Sequence, residues 1–303
     1  MSKSSTTTIA CALCVGSARE PYLAATLAAI DGAIDALVVN DNGDDGPTAR
    51  ENRATLAASA TARRGALRVE RHPFRDFADM RDRAFAALAA LDPLPDWVLL
   101  LDADEVHGEQ MRYVTRELLP RLAARTRGVA GYTYHFFGTF GWITDVARRS
   151  MLVRYAPELR WTGAVHETIV GGAGAELVLP YTYHHYGNVA TPSDLARKHG
   201  TYYALGNAVP PPPDPADADA RMFVAKAGDL RRYTGPHPRA ARTTLARLEA
   251  ERAREFAALE RAFARRDPAL RALAMLHGIN ETLHVELRRL EHPRAFPLSS
   301  RAR

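Results

Sequence analysis

Three carboxylates fall within four residues at Asp102-Ala103-Asp104-Glu105, directly after the apolar run Trp97-Val98-Leu99-Leu100-Leu101. Carboxylates this close repel one another and partly protonate unless a cation neutralises them. A hard divalent ion, Mg²⁺ or Mn²⁺, takes such oxygen ligands and also binds a diphosphate. The competing assignment is a helix N-cap, since Asp and Glu suit the first turn of a helix that follows.

Histidines and two further acids extend this chemistry. His184 and His185 are candidates for a third metal ligand, because neutral imidazole commonly completes such sites. His185 is preferred, since it abuts Tyr186-Gly187. His166-Glu167 is not half of a zinc-protease H-E-x-x-H, because position 170 is Val. Glu167 suits a general base that takes a hydroxyl proton. Asp145, in the aromatic stretch Gly138–Asp145, competes for that role, and Glu167 has a third option as the group that orients His166 or an arginine. His135, His277 and His284 have no partner in sequence and read as structural.

Regularly spaced strands position these residues. Apolar, β-branched runs at Ile9–Val15, Ala36–Val39, Leu67–Val69 and Val98–Leu101 alternate with helix-like segments, notably Pro21–Ile30 and Phe77–Leu91. That alternation predicts a mostly parallel sheet covered on both faces. Ligands of such sheets sit beyond the carboxyl ends of the strands. Asn40-Asp41 closes the second strand there and Asp102-Ala103-Asp104 the fourth, which favours the metal over the cap. From about Gly131 the aromatic and β-branched stretches 132–137, 151–155 and 177–183 predict added mixed strands. A helix is expected to start near Pro192-Ser193-Asp194.

The run Pro210-Pro211-Pro212-Pro213-Asp214-Pro215 reads as a stiff connector. Beyond it, Leu245, Leu248, Phe256, Leu259 and Phe263 form one apolar helical stripe. Asp267-Pro268 looks like a cap, and a second stripe runs from Leu270 to Leu290. The expected division is an α/β domain over 1–205, a proline-rich linker over 206–219 and an α-helical extension over 220–303. That extension carries 18 basic against 9 acidic residues.

At 303 residues and 47% hydrophobic, the chain can bury a substantial core. No apolar run approaches the roughly 18 residues of a membrane span, and the polar start lacks the pattern of a secretory signal. A cytoplasmic location is expected; the basic tail reads as solvated Arg-rich helix faces, with attraction to an anionic surface such as the inner membrane face as the alternative. Nothing in that tail matches a nucleic-acid motif, so no nucleic-acid partner is expected. Cys11 and Cys14 lie three apart on a predicted strand, where side chains three apart face opposite ways, so they read as buried hydrophobes.

Taken in order, these segments resemble family 2 glycosyltransferases. Phe74-Arg75-Asp76-Phe77-Ala78-Asp79-Met80-Arg81-Asp82-Arg83-Ala84 and Asp96-Trp97-Val98-Leu99-Leu100-Leu101-Asp102-Ala103-Asp104-Glu105 are similar to a bacterial subgroup. Its pattern is an aromatic, D-F-A, R-N-x-A and W-x-L-x-L-D-A-D-E. Trp161-Thr162-Gly163-Ala164-Val165-His166-Glu167 resembles its W-x-G-x-V-H-E, and His185-Tyr186-Gly187 its H-Y-G. The resemblance implies a GT-A-like, Rossmann-type α/β fold that moves a sugar from a nucleoside-diphosphate sugar, generally with inversion. By that analogy Asp41 contacts the base or ribose and Arg81 the base or diphosphate. Asp102 contacts ribose and metal, and Asp104 ligates the metal. Ala18-Arg19-Glu20 departs from the family's Asn-Glu, and Arg19 puts a cation where an acid is expected. Trp142 and Trp161 are stacking platforms for a sugar or else core residues.

The acceptor implied is a sugar, a lipid-linked glycan, a peptide or a small molecule. Two alternatives share these residues: a metal-dependent hydrolase of nucleotide sugars or phosphate esters, and a non-catalytic nucleotide- or carbohydrate-binding module.

Overall fold

The computed structural model describes residues 7–172, 174–190, 192–207 and 230–264. The proline run, the Asp267-Pro268 cap, the Leu270–Leu290 stripe, His277, His284 and the side chain of Phe263 lie outside the described residues.

The first third folds as its periodicity predicts. Strands β1 (Ile9–Val15), β2 (Ala36–Asp41), β3 (Leu67–Arg71) and β4 (Trp97–Leu100) lie parallel in the order β3-β2-β1-β4. β1 sits at the centre, pairing Val15 with Asp41 on one side and Ile9 with Trp97 on the other. Its continuous apolar sequence follows from that place, because helices cover both of its faces. Ile9, Cys11 and Leu13 are buried with Leu23, Leu27 and Ile30 of α1 (Leu23–Ile30). Cys14 turns the other way, toward the helix Phe77–Leu88, and its Sγ donates to the Met80 carbonyl at 3.5 Å. Burial raises both thiols, Cys14 to about 12.

The chain order jumps from β3 at one edge back to β4 beside β1. The carboxyl ends of β1 and β4 therefore flank a topological switch point, the place where such sheets take their ligands. Beyond β4 the sheet turns mixed. Strands β5 (Glu105–His107), β6 (Thr126–Phe137), β7 (Thr139–Arg154) and β10 (Ala175–Asn188) continue it in the order β4-β7-β6-β10-β5. β6 and β7 form one long antiparallel hairpin that turns at Gly138, whose φ of 70° favours glycine. β8 (Arg160–Thr162) and β9 (Thr168–Val170) make a separate two-stranded hairpin, and β11 (Arg231–Arg232) pairs with β7.

Two expectations need correction. The acidic run is followed by strand β5, not by a helix; after α2 (Pro47–Ala57), α3 (Ala60–Arg63) and α4 (Phe77–Leu88), helical structure resumes only with α5 (Met111–Tyr113). A helix N-cap therefore does not account for Asp102-Ala103-Asp104. The predicted stripe from Leu245 is also not one helix. It breaks into Arg242–Glu251 and Ala253–Ala264 at Arg252, whose φ and ψ of −112° and 19° leave the helical range while its side chain turns inward. Leu245, Leu248 and Phe256 join Tyr22, Val106, Phe136, Phe140, Tyr186 and Val189 in one buried cluster.

Candidate functional site

The Asp102-Ala103-Asp104 turn is bound from three sides. Within it, the Glu105 amide donates to the Asp102 carbonyl at 3.1 Å, and the Asp102 amide donates to Glu105 Oε2 at 3.1 Å. From below, Thr26 of α1 donates its hydroxyl to the Ala103 carbonyl at 2.9 Å. From the side, the Tyr186 amide donates to the Asp104 carbonyl at 2.9 Å. β5 then pairs antiparallel with β10, setting Glu105 opposite His185. The D-A-D and H-H-Y-G segments, far apart in sequence, thus form one wall.

On that wall His185 Nε2 lies 3.4 Å from Asp104 Oδ1. That oxygen is buried and accepts no hydrogen bond. Gly187 completes the contact: a Cβ there would stand 2.1 Å from Asp104 Oδ2 and 2.9 Å from His185 Nε2. With these two side chains where they are, only glycine fits. His184 alternates to the other face, where it bonds the Tyr233 hydroxyl at 2.8 Å and stacks on Phe136. The neighbouring histidines therefore divide the work, one facing the acids and one fixed in an aromatic core.

Arg81 is the hub of the opposite wall. It projects from α4 (Phe77–Leu88), a helix capped by Asp76 accepting from the Asp79 amide. The β8–β9 hairpin lies against this helix, with Trp161 edge-on to Phe85 and beneath the Arg81 guanidinium at 5.0 Å. The Trp161 amide donates to Asp82 Oδ1 at 2.7 Å, giving a structural reason for acid at the position next to Arg81. So placed, Arg81 bonds Asp102 Oδ1 at 2.8 Å and Glu167 Oε1 at 2.5 Å. Burial would raise the Asp102 carboxyl, but Arg81, then Arg149 and His185, outweigh it and hold it at about 2. Glu167 thus orients an arginine, one of the arrangements its sequence allowed. His166, exposed at a φ of 55°, makes the turn that presents it.

Other predicted residues stand apart. Asp41 is almost fully buried, with Oδ2 bonded to Arg53 Nε at 2.5 Å and Oδ1 accepting from the Gly43 amide at 2.8 Å. Its carboxylate is thereby occupied, and a donor contact through Asp41 would require Arg53 to yield. Asp145 is exposed on β7, accepting from the Thr144 hydroxyl at 3.0 Å. Trp142 is packed with Phe137 and Leu230 and is not a platform, and Trp161 is held between Arg81 and Phe85. Arg19 points outward, 3.8 Å from Glu51. Glu20 is the acid that faces the site: burial, then the charge of Asp104, raises it to about 8.

Several groups were missed by sequence reasoning. His135 Nδ1 lies 3.2 Å from His185 Nδ1, across the parallel pairing of β6 and β10. A shared aromatic–His–aromatic pattern, Tyr134-His135-Phe136 and His184-His185-Tyr186, was the available signal. Arg149 faces Glu105 and Asp102 from β7. Helix α6 (Pro192–Ala204) turns Leu195, Lys198 and Tyr202, at helical spacing, inward: Leu195 is buried and the other two are half-buried. Tyr202 meets Phe77 edge-on at 5.3 Å. Burial works against the Lys198 ammonium, yet Asp104, with weaker help from Tyr202, Asp102 and Glu20, keeps its pKa above the ordinary value.

These charges bear on whether a metal fits. Among the described residues, no three His, Cys, Asp or Glu side chains converge as a ready-made cage. Asp104 and His185 are together, while the Asp102 carboxylate is turned to Arg81. The unsatisfied Asp104 oxygen and the neighbouring neutral imidazole are nevertheless the donors a divalent ion takes. Burial and then Asp102 push Glu105 to about 8, as burial and Asp104 push Glu20. A cation between Asp104 and His185 would add positive charge beside these acids.

Neither a family model nor a curated protein matches the chain. Solved structures are similar to parts of it. Glucosyl-3-phosphoglycerate synthase from Mycobacterium tuberculosis, in complex with Mn²⁺, uridine-diphosphate and glucosyl-3-phosphoglycerate, is 21% identical over 42% of this chain and 44% of its own, with a TM-score of 0.30. A mycobacterial protein is 21% identical over 43% and 41%, also at 0.30. The 4-diphosphocytidyl-2C-methyl-D-erythritol synthase of Anaerococcus prevotii is 16% identical over 72% and 83%, at 0.31. The chain thus spans less than half the length of the mycobacterial structures. Similarity this loose carries no function across. No helix among the described residues is long and apolar enough to cross a membrane.

Proposed function

We propose that this chain is a glycosyltransferase that moves a sugar from a nucleoside-diphosphate sugar to an acceptor, with inversion and with Mn²⁺ or Mg²⁺. The observation that carries this is the meeting of Asp104 and His185 under Gly187, with Arg81 held by the neighbouring Asp102. Asp104 and His185, joined by Asp102, are the residues that would hold the ion. When bound, it supplies positive charge against the donor diphosphate.

The chain's own residues do the rest. Anomeric bond cleavage leaves electron-poor sugar and growing negative charge on the diphosphate. Arg81 is fixed by two carboxylates and a tryptophan, so it meets that charge without reorganising. Lys198 and Arg149 add cations on two further sides. Glu167 uses Oε1 for Arg81, leaving Oε2 to take the acceptor hydroxyl proton. Asp145, more exposed and beyond His135, is the second candidate for that proton. Helix α6 brings Lys198 toward Asp104 and Glu20. We assign this activity to 1–205, continued by the linker 206–219 and the helical extension 220–303, and place the protein in the cytoplasm.

The test is thermal unfolding with UDP, GDP, ADP, CDP and dTDP, each with and without Mn²⁺, followed by transfer assays with the matching sugar donors. One nucleotide is expected to stabilise strongly and only with metal, and Asp104→Ala should remove that effect while the protein stays folded. Retained metal-dependent turnover in Asp104→Ala would refute the assignment, and release of free sugar regardless of acceptor would point to hydrolysis.

A further inference from the structure

The turn that carries Gly187 is held from outside the α/β domain. The Val189 amide donates to the Tyr186 carbonyl at 2.8 Å, closing the turn. The Gly138 amide donates to the Asn188 carbonyl at 3.0 Å, tying the turn to the β6–β7 hairpin. The next two carbonyls are taken by a single side chain. Arg252 donates from Nη1 to Val189 O at 2.9 Å and from Nη2 to Ala190 O at 3.0 Å. The Tyr22 hydroxyl reaches the same Val189 carbonyl at 3.1 Å from the start of α1.

Arg252 is itself fixed. Glu255 pairs with its Nε at 2.9 Å and its Nη2 at 2.5 Å, and the guanidinium lies 4.6 Å over the Phe256 ring. It stands at the break between the two C-terminal helices, where the backbone departs from helical geometry. A planar guanidinium holds two successive carbonyls with separate nitrogens while Nε and Nη2 bond Glu255, a fixed fork that the single nitrogen of an ammonium does not reproduce. That fit explains why the stripe from Leu245 to Phe256 is interrupted at this residue.

We propose that Arg252 is a positioning residue for the candidate site: by clamping Val189 and Ala190 it fixes the Gly187 turn, and through it the Asp104–His185 contact and the root of α6. The lever arm is short. Gly187 touches Asp104 closely enough that a methyl group would not fit, so a shift of this turn alters the acid–imidazole contact directly. α6, with Lys198 and Tyr202, begins at Pro192, two residues after the clamped Ala190. The C-terminal helices are thereby a working part of the site. The inference about the turn stands on the hydrogen bonds alone; its consequence for metal and donor rests on the glycosyltransferase reading.

The experiment uses the full chain and compares wild type, Arg252→Lys, Arg252→Gln and a control, Arg154→Lys. Arg154 likewise lies over an aromatic ring, Trp97, and donates to a carbonyl, Thr126 O, but at the other end of the sheet. Amide hydrogen exchange by mass spectrometry is read without ligand. Exchange across Gly187–Ala190 is expected to speed up by about ten-fold or more in both Arg252 variants and to stay unchanged in Arg154→Lys. The stabilisation produced by Mn²⁺ alone is expected to weaken in the Arg252 variants and persist in the control. Unchanged exchange at the turn in both Arg252 variants overturns the proposal, as does an equal rise in Arg154→Lys, which would mark general loosening. If wild type shows no response to Mn²⁺, the metal reading falls while the exchange result still decides the role of Arg252.

Discussion

Asp104 Oδ1 and His185 Nε2 approach to 3.4 Å across two strands because the residue beside them, Gly187, has no side chain. The contact joins an acid at the end of a parallel strand to an imidazole on a mixed one. Neither strand alone makes the site, and the pairing of β5 with β10 brings them together.

Gly187→Ala tests this closeness directly. The added methyl would overlap Asp104 Oδ2 and crowd His185 Nε2, so the carboxylate must rotate away. Overpacking of this kind costs about 1–3 kcal/mol. We expect a modest drop in the thermal midpoint together with loss of the Mn²⁺-induced rise. A variant that responds to Mn²⁺ as wild type does would show that the acid–imidazole contact is not the metal site.

The two adjacent histidines are expected to separate cleanly under mutation. His185→Phe should abolish Mn²⁺ binding, followed by electron paramagnetic resonance titration. His184→Phe keeps the stacking on Phe136 but loses the Tyr233 bond, at about 1 kcal/mol in urea unfolding, and should bind Mn²⁺ unchanged. The reverse pattern would exchange their roles.

Much of this arrangement was legible in the chain. Continuous apolar runs announced β1, β2 and β4, because a strand buried on both faces has no polar side to show. Strand-terminal acids marked the switch point, because ligands of such sheets sit beyond the carboxyl ends of the strands. The groups that escaped notice, His135, Arg149 and Lys198, reach the acids from β6, β7 and α6, and nothing local in their sequences marks contacts set by register. Arg53, which occupies Asp41, was hidden likewise: an arginine inside a surface-patterned helix reads as solvated until the turn it clamps is seen. The break at Arg252 was invisible to helical periodicity, since the apolar spacing runs through it.

The two cysteines give a check on the core. Both thiols are held far above the ordinary range by burial, and they face opposite sides of β1. Native protein at pH 8 should react with a thiol reagent such as dithionitrobenzoate only as fast as it opens, and denatured protein should release two equivalents at once. Rapid reaction of one thiol in the native state would mean that the Cys14 face, under α4, is open.

Arg81 offers a prediction in pH. Arg81→Met leaves the Asp102 and Glu167 carboxylates in place without their shared counter-ion; these groups are part-buried, so the cost is below the about 3–5 kcal/mol of breaking a fully buried pair from one side. The sign follows from Asp102. In wild type its carboxyl is depressed from 3.8 to about 2, so its stabilising contribution is complete above pH 3.8 and is lost as pH falls through about 2. In the variant the same burial acts unopposed by Arg81 and raises the carboxyl, so its ionised form is a cost at neutral pH that protonation relieves. The stability difference between wild type and variant, from urea unfolding, should therefore be largest near pH 7. It should shrink first through the variant's raised pKa and then across the interval from about 3.8 to about 2. A difference that stays constant from pH 7 to pH 2.5 would mean that Arg81 acts through packing on Trp161 and not through charge.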